Sequence, residues 1–474
     1  MCGFTGELSF NKIDNSLLKI ANNHSICRGP DNLTNYTDNE DLNIDLWFNR
    51  LSVIDLSEKA NQPMISKDSN SILMFNGEIY NSGELRKDLE NNGVKFRTSH
   101  SDTETLLQGL DKFGIKYITK LEGQFSFAYI NKNNKKIYFA RDRLGQKPLY
   151  IKFNKKTIIF CSNLRSILEL NGDFSIDEKS IEQYIAYGIN FAPRTLFKEV
   201  QKVMPATYLE IDFSNNKFEK KEKKYWEPDS HLDDKDFSFE KFQELFTESV
   251  KKRTISDVPV ATFLSGGIDS TSIVKKLNDL KYPTNTFSVV VNNKKYNEKK
   301  FIDKVVKKYP TNHYEANIDF VMSDETINKS IKSLDEPYSD PSVVPSYYLS
   351  ELISAKYKVA ISGDGGDELL GGYVRIKNHL QKKGFLRNIL SNLYFLYPAI
   401  LGSGTNLKSL SNNYKESYIS YLEDGKFFKL LFKKNIDQDL RINIKNSGST
   451  YKTLLKTDYG YYLSDQMMFK VDRT

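Results

Sequence analysis

The sequence predicts a two-domain protein of mixed α/β and α+β class. A sheet-rich N-terminal half precedes a doubly wound parallel α/β sheet with a helical C-terminal part. Three observations carry this expectation. Short strand patterns punctuated by turn residues run through residues 1–211. From Phe237 the period changes, and strands alternate with helices. Between one such strand and its helix stands a glycine-rich segment, Phe263-Leu264-Ser265-Gly266-Gly267-Ile268-Asp269-Ser270. Residues 212–236 are charged and lack apolar periodicity, so they are expected to link a domain over 1–211 to one over 237–474.

In the first half, helical spacing places helices at 17–22, 82–91 and 102–113. A strand over 71–75 is expected to close on an Asn76-Gly77 turn. The alternation over 123–130 meets a turn at 131–134, and strands at 136–140 and 157–162 continue the sheet. In the second half a helix over 237–254 leads into a β-branched strand over 258–263. A helix over 270–280 follows, with Ile273, Val274, Leu277 and Leu280 on one face. Next come a strand at 284–291, helices at 297–309 and 346–355, and a strand at 358–362. The tail from Gln381 reads as helical and aromatic-rich.

Composition excludes several classes. Of the 474 residues, 39% are hydrophobic and 13% aromatic, which is enough for real cores and argues against disorder. The net charge of +7 arises from interspersed residues. The densest basic run, Lys220-Lys221-Glu222-Lys223-Lys224, reads as a solvated linker rather than a nucleic-acid surface. Cys2, Cys27 and Cys161 form no C-x-x-C pair, and the five histidines show no metal-ligand spacing, so a reducing cytoplasm is expected. No secretory signal pattern opens the chain, and no apolar run approaches the ~20 residues needed to span a bilayer. Neither a nucleic-acid nor a membrane partner is expected.

Two segments carry chemistry. A glycine-rich turn between strand and helix lets backbone N–H groups close around a phosphate, helped by the helix N-terminus. Ser265 and Ser270 add hydroxyl donors, and Asp269 can hold a nucleotide's magnesium ion. The segment lacks the lysine of the G-x-x-x-x-G-K-[ST] loop. That points to pyrophosphate as a leaving group, and so to adenylation. The bland alternative is a serine- and glycine-rich turn without function. Cys2 is the second signal: removal of Met1 would leave one residue with both a thiol nucleophile and a free α-amino base.

Further segments stand in order along nearly the whole chain. They are Met1-Cys2-Gly3, Arg28-Gly29-Pro30-Asp31, Arg50-Leu51-Ser52-Val53-Ile54-Asp55, Gln62-Pro63-Met64 and Phe75-Asn76-Gly77-Glu78-Ile79-Tyr80-Asn81. Then come Ser101-Asp102-Thr103-Glu104, Arg141-Asp142-Arg143-Leu144-Gly145-Gln146-Lys147-Pro148-Leu149-Tyr150, Pro193-Arg194-Thr195-Leu196-Phe197 and Tyr225-Trp226. Beyond the Ser265 segment follow Asp335-Glu336-Pro337 and Ser362-Gly363-Asp364-Gly365-Gly366-Asp367-Glu368-Leu369-Leu370-Gly371-Gly372-Tyr373. Together they resemble the glutamine-hydrolysing asparagine synthetases. These are class II glutamine amidotransferases in which an N-terminal-nucleophile αββα sandwich is joined to an ATP-pyrophosphatase-type synthetase.

The resemblance implies that Cys2 attacks glutamine while the Asn76 side-chain amide and the Gly77 N–H stabilise the oxyanion. It places Arg50 on the α-carboxylate, Asp102 on the α-ammonium, and Leu51, Ser52, Val53, Ile54 and Glu78 around the substrate. It implies that Leu264, Ser265, Gly266, Gly267, Asp269, Ser270, Val289, Ser362 and Gly363 bind ATP. Asp364 would serve the acyl-adenylate, and Asp269 and Asp367 would share Mg2+. L-Glutamine, L-aspartate and ATP are the implied substrates, with ammonia passing internally between domains; a homodimer is compatible with it. A calcium loop at Asp364, Asp367 and Glu368 lacks the D-x-D-x-D-G spacing.

The sequence departs from the family at Phe4-Thr5 and at Asn49. It also stops at Met467-Met468-Phe469-Lys470-Val471-Asp472-Arg473-Thr474, inside a family motif. The resemblance therefore implies an incomplete synthetase domain without the family's late lysine. A related enzyme amidating another carboxylate, such as a sugar acid, shares every motif. A non-catalytic scaffold is disfavoured because Cys2 and the Ser265 segment are both intact.

Overall fold

Two six-stranded antiparallel sheets form the N-terminal half. The computed structural model describes residues 1–170, 172–228, 238–291, 297–318, 323–380, 385–398, 405–411, 414–419, 421–442 and 450–474. The strands are β1 (Gly3–Ser9), β2 (Asn32–Asn39), β3 (Asn43–Arg50), β4 (Met64–Ile65), β5 (Ser71–Ile79), β6 (Gly123–Asn131), β7 (Lys136–Arg141), β8 (Tyr150–Phe153), β9 (Thr157–Cys161), β10 (Val200–Lys202), β11 (Thr207–Asp212) and β12 (Glu219–Lys224). One sheet has the order β10-β8-β9-β1-β3-β2, the other β12-β11-β7-β6-β5-β4.

The strand period of two assigns each face a different neighbour. Phe4, Leu8, Leu46 and Phe48 of the first sheet meet Ile72, Met74, Ile130 and Phe139 of the second between the sheets. The outer face of the second sheet, with Leu73, Phe75 and Phe127, packs on Leu85 and Leu89 of helix Ser82–Asn91 and on Leu106 and Leu110 of helix Asp102–Phe113. The outer face of the first sheet, with Ile159 and Cys161, packs on Leu18 and Ala21 of helix Asn15–Asn22 and on Ile167 of helix Leu164–Glu169. The result is a helix–sheet–sheet–helix sandwich.

Two expectations fail here. Asn76-Gly77 is no turn: β5 runs on to Ile79, with Asn76 opposite Ser126 and Gly77 opposite Phe125. A Cβ on Gly77 would lie 2.1 Å from the Gln124 carbonyl oxygen, so glycine serves close strand approach rather than chain reversal. Residues 219–224, assigned to the linker, form β12 and pair with β11. All six side chains of β12 are exposed, so it has no buried face to betray it. Its Lys and Glu residues cover the sheet edge as charges usually do. Part of the expected linker, 229–236, and Phe237 lie outside the described residues.

The second half is built on β13 (Val260–Phe263), β14 (Asn285–Val291), β15 (Asn312–Ile318) and β16 (Val359–Ile361), all parallel, in the order β15-β14-β13-β16. Val260 packs with Ile273 and Leu277 of helix Ile268–Asp279 and with Val250 of helix Phe239–Arg253. Ala261 and Phe287 pack on Ile353 of helix Val343–Ser354. The chain winds from β13 outward to β15, then returns to the other side of β13 as β16. The strand order therefore reverses between β13 and β16, the place where open α/β sheets bind ligands. Among the described residues no helix is long and apolar enough to cross a membrane.

A buried charge network joins the halves. Asp472 accepts from Arg28 Nη1 (2.7 Å) and Nη2 (3.0 Å), and Lys147 Nζ lies 3.5 Å away. Arg473 donates to both oxygens of Asp335 (2.8 and 3.0 Å), and Lys202 pairs with Glu336 at 3.0 Å.

Candidate active sites

The first site lies at the end of the sandwich where β1 begins. Cys2 is half-buried, and the Leu51 N–H donates to its Sγ at 3.4 Å. Burial pushes the thiol up, opposed by the neighbouring amino terminus, the Leu51 N–H and Arg50. Asn76 shares the inward face of β5 with Met74. It is fully buried, and neither end of its side-chain amide has a hydrogen-bond partner. A buried amide left unpaired is costly, so this one is poised for a partner the folded chain does not supply. Gln62 fixes the strand beside it, accepting from the Phe75 N–H at 2.6 Å and donating to the Phe75 carbonyl at 3.1 Å.

Arg50 ends β3 and turns its guanidinium into the loop 51–57. Nη1 donates to Ser57 O (2.9 Å) and Asn61 Oδ1 (2.8 Å), and Nη2 donates to Asp55 O and Ile54 O. Of its five N–H groups, only Nε–H is left over. Arg50 is thus the loop's organiser here, and a bidentate grip on a carboxylate requires it to exchange a loop carbonyl. Asp102 opens its helix behind the Ser101 cap and accepts from the Ile79 N–H at 3.1 Å. Burial, moderated by backbone N–H groups and Arg50, raises its carboxyl to about 6. Glu78 rises further, to about 8, through burial and the charge of Asp102. Its Oε1 is also unpartnered.

The second site lies at the carboxyl ends of β13, β14 and β16. Leu264 follows β13 directly, and its N–H donates to Phe287 O at 2.8 Å. The Ser265 and Ser270 hydroxyls are 3.0 Å apart. Gly267 caps helix Ile268–Asp279 without a side-chain bond, leaving the first-turn N–H groups free for a ligand. Gly266 has φ +77°, a conformation that glycine adopts without strain. Val289 lies in β14, while Ser362 and Gly363 follow β16.

The loop after β16 closes on Asp269. A Cβ on Gly366 would lie 2.7 Å from Asp269 Oδ2, and one on Gly363 3.0 Å from its Cβ. Burial and the charge of Asp367 raise the Asp269 carboxyl. Two carboxylates held together in this way suit a divalent cation, which would relieve their repulsion. Among the described residues no group of three or more His, Cys, Asp or Glu forms a complete cage, so phosphate oxygens and water would supply the remaining ligands. Asp364, in the loop after β16, is exposed.

The structure therefore gathers the residues inferred from sequence into two sites. The residues holding the sites together carry no such signal in the sequence: Arg28, whose Nε donates to Cys2 O at 3.0 Å, with Lys147, Asp257, Lys358 and Asp472. Arg28 and Lys147 stand inside family motifs, but nothing in the sequence ties them to Asp472, more than 300 positions away.

Residues 1–226 match a family profile described as a glutamine amidotransferase domain, and residues 241–474 match one described as asparagine synthase. Asparagine synthetase (glutamine-hydrolysing) 1 of Bacillus subtilis is 32% identical over 470 residues, spanning 96% of this chain and 72% of that protein. A Methanocaldococcus jannaschii protein, provisionally named asparagine synthetase (glutamine-hydrolysing) 2, is 33% identical, spanning 100% of this chain and 98% of its own length. A solved glutamine phosphoribosylpyrophosphate amidotransferase from B. subtilis aligns with 78% of this chain and 92% of its own, at 13% identity and TM-score 0.35, a distant likeness that adds nothing to the assignment. With an amidotransferase sandwich in front of a synthase domain and relatives of that identity along its length, the chain belongs to the glutamine-hydrolysing asparagine synthetase family.

Proposed function

We propose that the chain amidates L-aspartate to L-asparagine, using glutamine as nitrogen donor and ATP as activator. Glutamate, AMP and pyrophosphate are the other products. The observation that carries this reading is the pairing, on one chain, of a half-buried N-terminal thiol near an unpartnered buried amide with a lysine-free phosphate cradle. In the first half-reaction the Cys2 thiol passes its proton to the α-amine freed by removal of Met1 and attacks the glutamine side-chain carbonyl; the C–N bond then breaks, the amine hands the proton to the departing nitrogen, and ammonia leaves a glutamyl thioester. Asn76 Nδ2 and the Gly77 N–H meet the developing oxyanion; such a donor is typically worth on the order of 10²–10³ in rate. Arg50 and Asp102 hold the head group, with 51–54 and Glu78 around it. Water then releases glutamate from the thioester.

In the second half-reaction aspartate's β-carboxylate displaces pyrophosphate from ATP, and ammonia attacks the resulting β-aspartyl-AMP. Ser265, Gly266, Gly267 and Ser270 cradle the departing pyrophosphate, while Leu264, Val289, Ser362 and Gly363 flank the nucleoside. Asp269 and Asp367 are the residues that would hold Mg2+, which would neutralise phosphate charge. Asp364, exposed in the loop after β16, would face the aspartyl end. The test is pyrophosphate release from ATP with ammonia and a panel of carboxylates. Aspartate should be the preferred acceptor; preference for a sugar acid would overturn the acceptor assignment while leaving the chemistry.

Asp102 gives a sharper check. Its carboxylate would pair with the ammonium of glutamine, remote from the scissile amide, so ground state and transition state lose equally when it is neutralised. Asp102→Asn should raise KM for glutamine and leave kcat nearly unchanged. Because the free enzyme's carboxyl titrates at about 6, wild-type kcat/KM should fall as pH drops through that value. The variant should lack this limb. A variant with lowered kcat at unchanged KM would remove Asp102 from substrate binding.

A further inference from the structure

The loop 51–57, whose residues 51–54 the proposed function places around glutamine, does not hold its shape alone. Asp55 adopts φ +53°, a left-handed conformation that is uncommon outside glycine. Arg50 grips the loop from inside through its carbonyls. From outside it is gripped by the other half of the molecule. Asp257 precedes β13, and its Oδ2 accepts from the Asp55 N–H at 2.7 Å while its own N–H donates to Val53 O at 2.9 Å. His100 Nε2 lies 2.6 Å from the same Oδ2, fixing the carboxylate in place. Lys358 precedes β16, and its Nζ donates to Asp31 Oδ2 at 2.7 Å; that oxygen also accepts from the Ser52 N–H at 2.7 Å.

Two of the strands whose carboxyl ends form the nucleotide site thus carry, just before their amino ends, a residue that fastens the glutamine loop. These are the paired strands β13 and β16, on either side of the point where the strand order reverses. Two N–H groups of the loop, those of Ser52 and Asp55, are held by carboxylates in or anchored to the synthetase half, while the Ser57 N–H is held within the loop by Asp55. We infer that Asp257 and Lys358 are positioning residues for glutamine binding: clamped between Val53 and Asp55 and against Asp31, they keep the loop in its substrate-receiving shape. The inference rests on the assignment of residues 51–54 to glutamine. It requires loss of the clamp to weaken substrate capture without slowing attack by Cys2, because neither residue touches the nucleophile.

The experiment is steady-state glutaminase kinetics, read as glutamate release, on the full chain and three variants. Asp257→Ala should raise KM for glutamine about tenfold, the usual effect of losing a charge-assisted hydrogen bond, with kcat within about twofold. Lys358→Met should raise KM about threefold, since Asp31 itself remains. Asp257→Asn keeps an oxygen that accepts from the Asp55 N–H and should restore most of the affinity, which a loss of domain docking alone would not explain. Unchanged KM in both Asp257→Ala and Lys358→Met would overturn the inference, as would Asp257→Asn being as impaired as alanine. Lys358 is part-exposed on the surface, so its variant reports even where Asp257→Ala fails to fold. A wild-type chain that hydrolyses no glutamine would instead sink the underlying site assignment, and the inference with it.

Discussion

Replacing Cys2 with alanine is expected to abolish glutamine hydrolysis, by on the order of 10⁴ or more, while ammonia-dependent pyrophosphate release persists. Removal of a covalent nucleophile costs nearly the whole catalytic effect of the residues that act with it. Among the three cysteines only Cys2 stands beside the unpartnered amide's end of the sandwich; Cys27 is exposed and Cys161 is buried in the outer core. Met1 precedes Cys2 here, its amino group buried and lowered by that burial to about 5. Mass measurement of the mature N-terminus should accordingly find Cys2 first in active protein. Glutaminase activity surviving in Cys2→Ala would sink the assignment of the nucleophile, and undiminished activity with Met1 retained would sink that of the α-amine as base.

Much of this was legible in the sequence because the signals were local. The helices at 82–91 and 102–113 emerge with the bounds their spacing indicates, since each buries one apolar stripe on the second sheet. The Ser265 loop was legible because strand, glycines and helix are contiguous. What was hidden depends on pairing at a distance. Asn76-Gly77 has turn chemistry by composition, and only β6 alongside makes it a strand. β12 has no apolar face at all. The clamp residues Asp257 and Lys358 look like ordinary surface charges, since a charged residue carries no mark of the partner the fold will bring to it.

The same holds for Asp472, where the second large effect is expected. Its carboxylate is almost wholly buried among Arg28, Lys147 and Arg473. Burial alone would push that carboxyl up, but these three charges outweigh it and hold it far below the usual carboxylate range. Asp472→Ala would strand Arg28 and Lys147 as uncompensated buried cations. Breaking a buried pair from one side typically costs about 3–5 kcal/mol, well beyond the value of the pair itself, because the partner keeps its desolvation penalty. The measurement is urea unfolding of wild type and variant at neutral pH. The sign with pH follows from the depressed value: the contribution of Asp472 is present above the unfolded carboxyl's ~4 and is lost as pH falls through the lower folded value. The stability gap should therefore be full at pH 7 and close on strong acidification. Glutaminase activity should fall along with it, because the same Arg28 holds the Cys2 carbonyl through Nε. An Asp472→Ala protein as stable as wild type at pH 7 would show that the network carries no net load across the domain boundary, and that Arg28 keeps its place by other means.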